Sequence, residues 1–528
     1  MLNKQAKKRG SAAGEPSPSP VVLLVWDGFG LGKNKEGNAP AAARMLTWKS
    51  LLRQYPNARL NADGESVGLP PGWPGNSEAG HAAIGAGRVV PSDLLVIDEA
   101  IRTKAFDKNP ALLRAARHAA RNGSTLHLMG LLTNHRSGHA CPEHLYALLR
   151  FVERQNVPLT ALHLFTDGRD TPPFHAVHLV SALQKRLPKR CVIASIVGRY
   201  YAMDRNRFWD RTALAYHAIV NGEGVMSEDP VDAVTQAYNR GESDEYILPT
   251  VLCKNKTCVA PVKDGDAVVY WNLRSDRARQ LVKPFAERDF EKREKAAFKR
   301  KSVRRKLFFV TLTEFGSDLD SVIAAFPHRE VPNTLVEALR TRRQVYVSES
   351  EKYSQVTYFL NGGYDRPRFG EVRVRVPSPR VARYDEKPDM RAPEIAKRIV
   401  DALEDGAEFV LANFANADMV GHTGNFKAAV HACEALDDAL AFVWNAVTRV
   451  NGTLLVTADH GNAEVMRDAH GGTDTEHNAN PVPFLAAGRR LKRRSLHTHG
   501  TLADVAPTVL DLLEVQKPRE MTGKTLLI

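Results

Sequence analysis

VVLLVWDGFG, residues 21–30, decides how the rest of the chain is read. Its first six residues are an unbroken apolar run rich in β-branched valine. Such a run suits a strand buried on both faces, as in a parallel sheet with helices on either side. The run ends on Asp27-Gly28, and ligands in open α/β sheets gather at the carboxyl ends of the strands. Similar runs recur at 126–132, 162–165, 192–197, 267–271, 307–313, 345–347, 409–412 and 453–457. Amphipathic stretches of helical length alternate with them, as at 394–405 and 427–447. The alternation predicts an α/β fold with mostly parallel sheets.

Other apolar runs and small-residue turns carry groups that match Asp27. TLLVTADHGN (453–462) ends on Asp459-His460, and NFANADMVGH (413–422) holds Asp418 and His422. The i, i+4 spacing of that last pair puts both on one side of a helical turn, within reach of one ion. His477 lies in TEHNANPVPF, where two prolines stiffen the backbone after it. Ser77 lies in PGWPGNSEAGHAAIGAG (71–87), whose small residues let backbone approach a phosphate. A helix starting near Ser77 would offer free N–H groups to that phosphate. Each residue alone reads equally as a turn, a helix cap or a satisfied loop polar group. Together, Asp27, Ser77, Asp418, His422, Asp459, His460 and His477 have the side chains of a site for two divalent cations with a hydroxyl nucleophile. The surroundings of Ser77 match neither a G-x-S-x-G elbow nor a Walker A loop, so activation of the serine by metal is expected.

These candidates fall into two blocks, 27–77 and 418–477. One domain interrupted by another explains the gap most simply. The expected organisation is a disordered leader over 1–20, a discontinuous metal-binding domain at 21–91 and 318–528, and an inserted domain at 92–317. The insert carries arginines in tight turns: Arg169 with Asp170 in FTDGRDTPP, Arg199 and Arg205 in GRYYAMDR, and Arg274 and Arg277 in NLRSDR. Arginine suits bidentate recognition of anions. Lys352 in SESEKYSQVTYF adds a point charge.

The chain has 528 residues, 43% of them hydrophobic and 25% charged, an ordinary globular composition. It has no apolar run long enough to span a membrane and no secretory signal. Five cysteines read as reduced thiols in a cytosolic protein. The net charge of +13 invites a nucleic-acid reading, but residues 1–20, 288–306 and 489–494 carry +3, +7 and +5 and leave the rest near −2. Basicity confined to three patches, without a recognition motif, reads as solvated surface.

The ordered motifs WDGFG, GNSEAGH…IGAGR, TDGRDTPP, GRYYAMDR, NLRSDRA, EKYSQVTYFLNGG, VPSPRVARYDEKPDM, NFANADMVGH, TADHGNAE and HNANPVPF closely resemble those of the 2,3-bisphosphoglycerate-independent phosphoglycerate mutases. The resemblance runs from about residue 20 to the C-terminus. It implies an alkaline-phosphatase-like metal domain, split in sequence, with an inserted α/β phosphotransferase domain. It implies interconversion of 3- and 2-phosphoglycerate through phosphorylated Ser77 without 2,3-bisphosphoglycerate. By the same resemblance one manganese is held by Asp27, Ser77, Asp459 and His460, and another by Asp418, His422 and His477, with magnesium or cobalt as alternatives. Arg169, Asp170, Arg199, Arg205, Arg274, Arg277 and Lys352 would bind substrate, Asp170 acting as base toward its 2-hydroxyl. A cytoplasmic monomer acting on a small molecule, with no specific nucleic acid and no membrane, is implied too. One segment departs from the family. Where GGVHSH is usual, the chain reads TNHRSGHACPEH (133–144), so the substrate histidine becomes His139, with His135 as the alternative. Another metal-dependent phosphomonoesterase or phosphomutase of the superfamily is the rival expectation.

Overall fold

All nine apolar runs are strands, and they sort into two sheets. The computed structural model describes residues 19–301, 303, 306–316, 318–319, 321–468 and 470–528. The expected leader lies outside the described residues except for its last two positions. So do three positions of the basic stretch 288–306.

The chain divides into two units: the residues up to Ser92 together with Arg329–Ile528, and Asp93–His328. The expected insert ended at 317. The return crossing instead follows His328, because Val322–Phe326 pairs in parallel with Phe308–Thr313 and stays in the inserted unit's sheet. The expected boundary therefore falls between two neighbouring strands of one sheet.

In the first unit the strand order is Val372–Val376, Gln344–Glu349, Phe409–Phe414, Val21–Trp26, Thr453–Thr457, Val482–Ala487, Asn57–Asn61, His499–Thr501. Val21–Trp26 is central and every residue in it is buried, which explains its unbroken apolarity. The five strands from Val372–Val376 to Thr453–Thr457 run parallel, and Val482–Ala487 is antiparallel to the last of them. The longest cover is the helix Phe426–Arg449, started by the Asn425 side chain accepting from the Ala428 amide. It buries Ala429, Cys433, Leu436, Leu440, Val443 and Val447, spaced three and four apart on one face. Each such leucine contributes about 1.5–3 kcal/mol by burial.

The second unit's sheet runs Val322–Phe326, Phe308–Thr313, Ala267–Tyr270, Thr125–Leu132, Leu159–Thr166, Cys191–Gly198, Thr250–Lys254, Val225–Ser227. The first six strands are mutually parallel, and Thr250–Lys254 is antiparallel to Cys191–Gly198. No helix among the described residues is long and apolar enough to cross a membrane.

Candidate active site

Four parallel strands of the first unit deliver side chains to one edge. Asp27 follows Val21–Trp26, Lys352 follows Gln344–Glu349, Asp418 follows Phe409–Phe414 and Asp459 follows Thr453–Thr457. Parallel pairing in step, with Val25 opposite both Asn413 and Thr457, puts all four carboxyl ends together. His477 precedes Val482–Ala487, which runs the opposite way, so its start lies at the same edge. An isolated bridge between Gly461 and Asn478 holds His477 near His460, their rings stacked with centroids 4.0 Å apart.

Ser77 is the first residue of the helix Ser77–Ala86. The N-cap is Asn76, whose side chain accepts from the Ala79 amide, so the serine hydroxyl is not spent on capping. Ser77 Oγ lies 2.8 Å from Lys352 Nζ, 3.0 Å from His460 Nε2 and 3.2 Å from Asp27 Oδ1. Lys352 Nζ also donates to Asp27 Oδ1 and to Asp418 Oδ2, each at 2.6 Å. His422 Nε2 and His477 Nε2 both lie 3.2 Å from Asp418 Oδ1 and 3.1 Å from each other.

The electrostatics follow from burial. Asp27, Asp418, Asp459, His460 and Lys352 are all buried. Burial opposes ionisation of Asp27 and Asp418, yet the Lys352 ammonium holds both below the ordinary carboxylate range. Burial would likewise neutralise Lys352, but Asp27, Asp418 and Asp459 raise it above the ordinary lysine range. His460 is pushed up to about 9, burial being outweighed by the Asp459, Asp27 and Asp418 carboxylates. His422 is raised by Asp418 against the opposing effect of burial.

Three groups absent from the sequence reading complete this edge. Asn413 Nδ2 donates to Asp27 Oδ2 at 2.7 Å, and Asn462 Nδ2 to Asp418 Oδ1 at 3.0 Å. His81 Nδ1 lies 3.1 Å from Asp459 Oδ2. His81 sits four residues after Ser77 on the same helix, a spacing that could have flagged it. The asparagines had no such signal, since each acts only by orienting a carboxylate.

The second unit gathers its own cluster by the same topology. His139 follows Thr125–Leu132, Arg169 and Asp170 follow Leu159–Thr166, Arg199 follows Cys191–Gly198, and Arg274 follows Ala267–Tyr270. These four strands are adjacent and parallel. Arg199, buried, donates to Asp167 at 2.5 Å and to Asp170 at 2.7 Å. Asp276 bridges Arg205 at 2.8 Å and Arg274 at 3.0 Å. Arg277 is depressed by partial burial and then by the charges of Arg205, Arg199 and Arg169, so several guanidinium groups share a small volume. Crowded cations of this kind favour a bound anion. His139 is held at about 4 by burial and the neighbouring Arg199 charge, with Asp170, Arg274 and Asp276 close by. Its carbonyl accepts from the Leu273 amide at 2.8 Å, which ties the 133–144 loop to the NLRSDR turn. His135 is exposed and contacts its neighbour Asn134. Of the two histidines, His139 is the one beside the arginines.

Comparison with known proteins gives a consistent result. The family model described as "BPG-independent PGAM N-terminus" matches residues 97–317. A 2,3-bisphosphoglycerate-independent phosphoglycerate mutase of Moorella thermoacetica is 44% identical over 513 residues, 96% of this chain and 98% of that protein. One of Clostridioides difficile is 41% identical over 96% of this chain and 99% of its own length. A crystal structure of Leishmania mexicana phosphoglycerate mutase at low cobalt concentration aligns with a TM-score of 0.73 at 29% identity, covering 98% of this chain and 99% of that one.

Proposed function

We propose that this chain, which belongs to the 2,3-bisphosphoglycerate-independent phosphoglycerate mutase family, interconverts 3- and 2-phosphoglycerate through a phosphoserine at Ser77. The observation that carries the reading is the setting of Ser77 Oγ, 2.8 Å from Lys352 Nζ and 3.0 Å from His460 Nε2 at an edge crowded with buried carboxylates. The donor set fits two divalent ions. Asp27, Asp418 and Asp459 are three buried carboxylates set beside the imidazoles of His460, His422 and His477, the mixed oxygen and nitrogen donors that divalent cations take. Oxygen and imidazole donors suit manganese, with magnesium and cobalt as alternatives. Asp27, Ser77, Asp459 and His460 would hold one ion, and Asp418, His422 and His477 the other. Bound there, the ions would supply Lewis-acid stabilisation of phosphoryl charge and lower the pKa of the serine hydroxyl.

The chain's own residues do the rest. Lys352 donates to Ser77 Oγ, leaving an oxygen lone pair free to attack phosphorus. The same ammonium offsets charge that builds on the phosphoryl oxygens during transfer. His139 and the arginines of the second unit bind the carboxylate and glycerate oxygens of the substrate. Asp170, lowered by Arg199 against the opposing effect of burial, is ionised and can take the proton of the 2-hydroxyl. With the phosphoryl group parked on Ser77, no second phosphate donor is required. We place this activity in the cytoplasm, in a monomer acting on a small molecule, with neither a nucleic acid nor a membrane as partner.

The test is conversion of 3-phosphoglycerate to 2-phosphoglycerate with manganese and without 2,3-bisphosphoglycerate. Expected is conversion that stops with chelator and with Ser77→Ala. Release of inorganic phosphate without isomerisation would replace the mutase with a phosphatase. Isomerisation surviving Ser77→Ala would overturn the phosphoserine.

A further inference from the structure

The five cysteines include one pair whose placement is not that of isolated thiols. Strands Thr250–Lys254 and Thr257–Cys258 form a tight hairpin in the second unit, with Cys253 opposite Cys258 and Lys254 opposite Thr257. The turn residues Asn255 and Lys256 both have positive φ, at 48° and 64°, the signature of a two-residue turn whose twist matches the strands. Such a turn sets the register, so the two cysteines face each other as a consequence of backbone geometry. Their sulfurs are 3.3 Å apart. Cys253 is buried against Ala218 and Val251, whereas Cys258 is half-exposed and donates to the Gly222 carbonyl at 3.3 Å. Gly222 leaves just enough room, since a Cβ there would come within 2.7 Å of Cys258 Sγ.

We propose that Cys253 and Cys258 are a redox modification site that closes to a reversible disulfide by exchange with a low-molecular-weight disulfide. The half-exposed Cys258, as thiolate, attacks one sulfur of the small disulfide. The S–S bond breaks, one small thiolate leaves, and a mixed disulfide remains on Cys258. Cys253 then attacks Cys258 Sγ, its proton leaving with the second small thiolate that is expelled. Two electrons pass from the cysteine pair to the small disulfide, which ends as two thiols. The asymmetry in exposure sets this order, because the buried partner meets only the sulfur already beside it. Burial and then the neighbouring Cys258 push the Cys253 thiol up to about 11, in keeping with its role as the second, resolving thiol. Opposed positions on adjacent strands bring the sulfurs together without moving either strand far, while a cross-strand bond at a tight hairpin stays accessible to reductant.

The experiment equilibrates the full chain with glutathione buffers from reducing to oxidising, then traps free thiols. Trypsin cuts after Lys254 and Lys256, inside the turn, so a Cys253–Cys258 bond appears as two peptides joined only by sulfur. Expected is that this species accumulates with oxidised glutathione, that titratable thiols fall from five to three, and that dithiothreitol reverses both changes. Cys258→Ser should abolish the linked peptides while the protein stays folded. Gly222→Ala, which crowds Cys258, should reduce their yield severalfold at the same buffer ratio. A glutathione adduct on Cys258 that never resolves, or five free thiols under every condition, would overturn the proposal. Linkage of either cysteine to a different partner would overturn it equally.

Discussion

Replacing Lys352 with methionine keeps the apolar stem and removes one ammonium. That ammonium lies 2.6 Å from both Asp27 Oδ1 and Asp418 Oδ2 and 2.8 Å from Ser77 Oγ, and all four side chains are buried. Removing one partner of a buried pair costs about 3–5 kcal/mol, mostly by leaving a charge uncompensated. Here one cation serves two carboxylates, so a loss near the upper end, about 5 kcal/mol, is expected for protein stripped of metal. Divalent ions bind only the folded donor set and offset the same carboxylates, so they should restore much of the loss. The assay is urea denaturation followed by tryptophan fluorescence, in chelator and in manganese, for both proteins. The gap between them should be several kcal/mol in chelator and should narrow with metal. Turnover in saturating manganese should still fall by about 10²–10³, because a charge that stabilises the transition state is gone. A gap below about 1 kcal/mol in chelator, or one that manganese leaves unchanged, would refute the view that Lys352 neutralises the buried carboxylates of Asp27 and Asp418. Arginine should not rescue, since a planar guanidinium does not match a buried point-charge position.

Three further outcomes are expected. Gly28→Ala should cut turnover at limiting manganese, with a stability cost of about 1–2 kcal/mol, because φ is +73° and a Cβ would lie 2.7 Å from Asp418 Cα; metal titration with a denaturation control checks both. Glu349 is buried, accepts the Arg391 amide at 2.9 Å and is pushed by burial up to about 7 from 4.5. The folded state therefore holds that proton more tightly, so stability falls as pH rises from 4.5 to 7, by about 3 kcal/mol in all; Glu349→Gln should flatten that fall and be the more stable protein at pH 8. In the second unit, Asp266, His127, His163 and Ser195 form a buried chain with contacts of 3.0, 3.0 and 2.8 Å. Burial keeps His127 depressed against the opposing Asp266, and burial with the neighbouring His127 keeps His163 depressed, so this chain's stability is lost as pH falls below the unfolded value of about 6.5. Ser195→Ala, leaving His163 Nδ1 unpaired, should cost about 1–3 kcal/mol in a melting experiment.

Much of the site was legible because its residues sit where local physics advertises them. Asp27, Asp459 and Asp418 each follow an apolar run, and strand ends are where α/β sheets present chemistry. The i, i+4 pair Asp418 and His422 announced a shared side of one helical turn, which the short helix Asn416–Gly421 provides. The arginines stood in turns dense with Gly, Asp and Asn. Less legible were groups whose work is indirect. Asn413 and Asn462 orient carboxylates that lie 386 and 44 residues away, and no local pattern marks an asparagine for that task. The second domain crossing was misplaced for a related reason: Val322–Phe326 is short, and only its pairing with Phe308–Thr313 assigns it to the inserted unit.

By itself, then, the sequence determined the α/β class, the strands and the chemical types at their ends, because burial on both faces demands unbroken apolar runs and catalysis demands particular functional groups. Strand order was decided only by the tertiary structure. Val21–Trp26 lies between Phe409–Phe414 and Thr453–Thr457, segments nearly 400 residues or more distant in the chain. That adjacency brings Asp27, Asp418 and Asp459 around one lysine. Periodicity records which face of a strand is apolar, but not which strand lies beside it. The neighbour is chosen by cooperative pairing and helix packing across the whole unit.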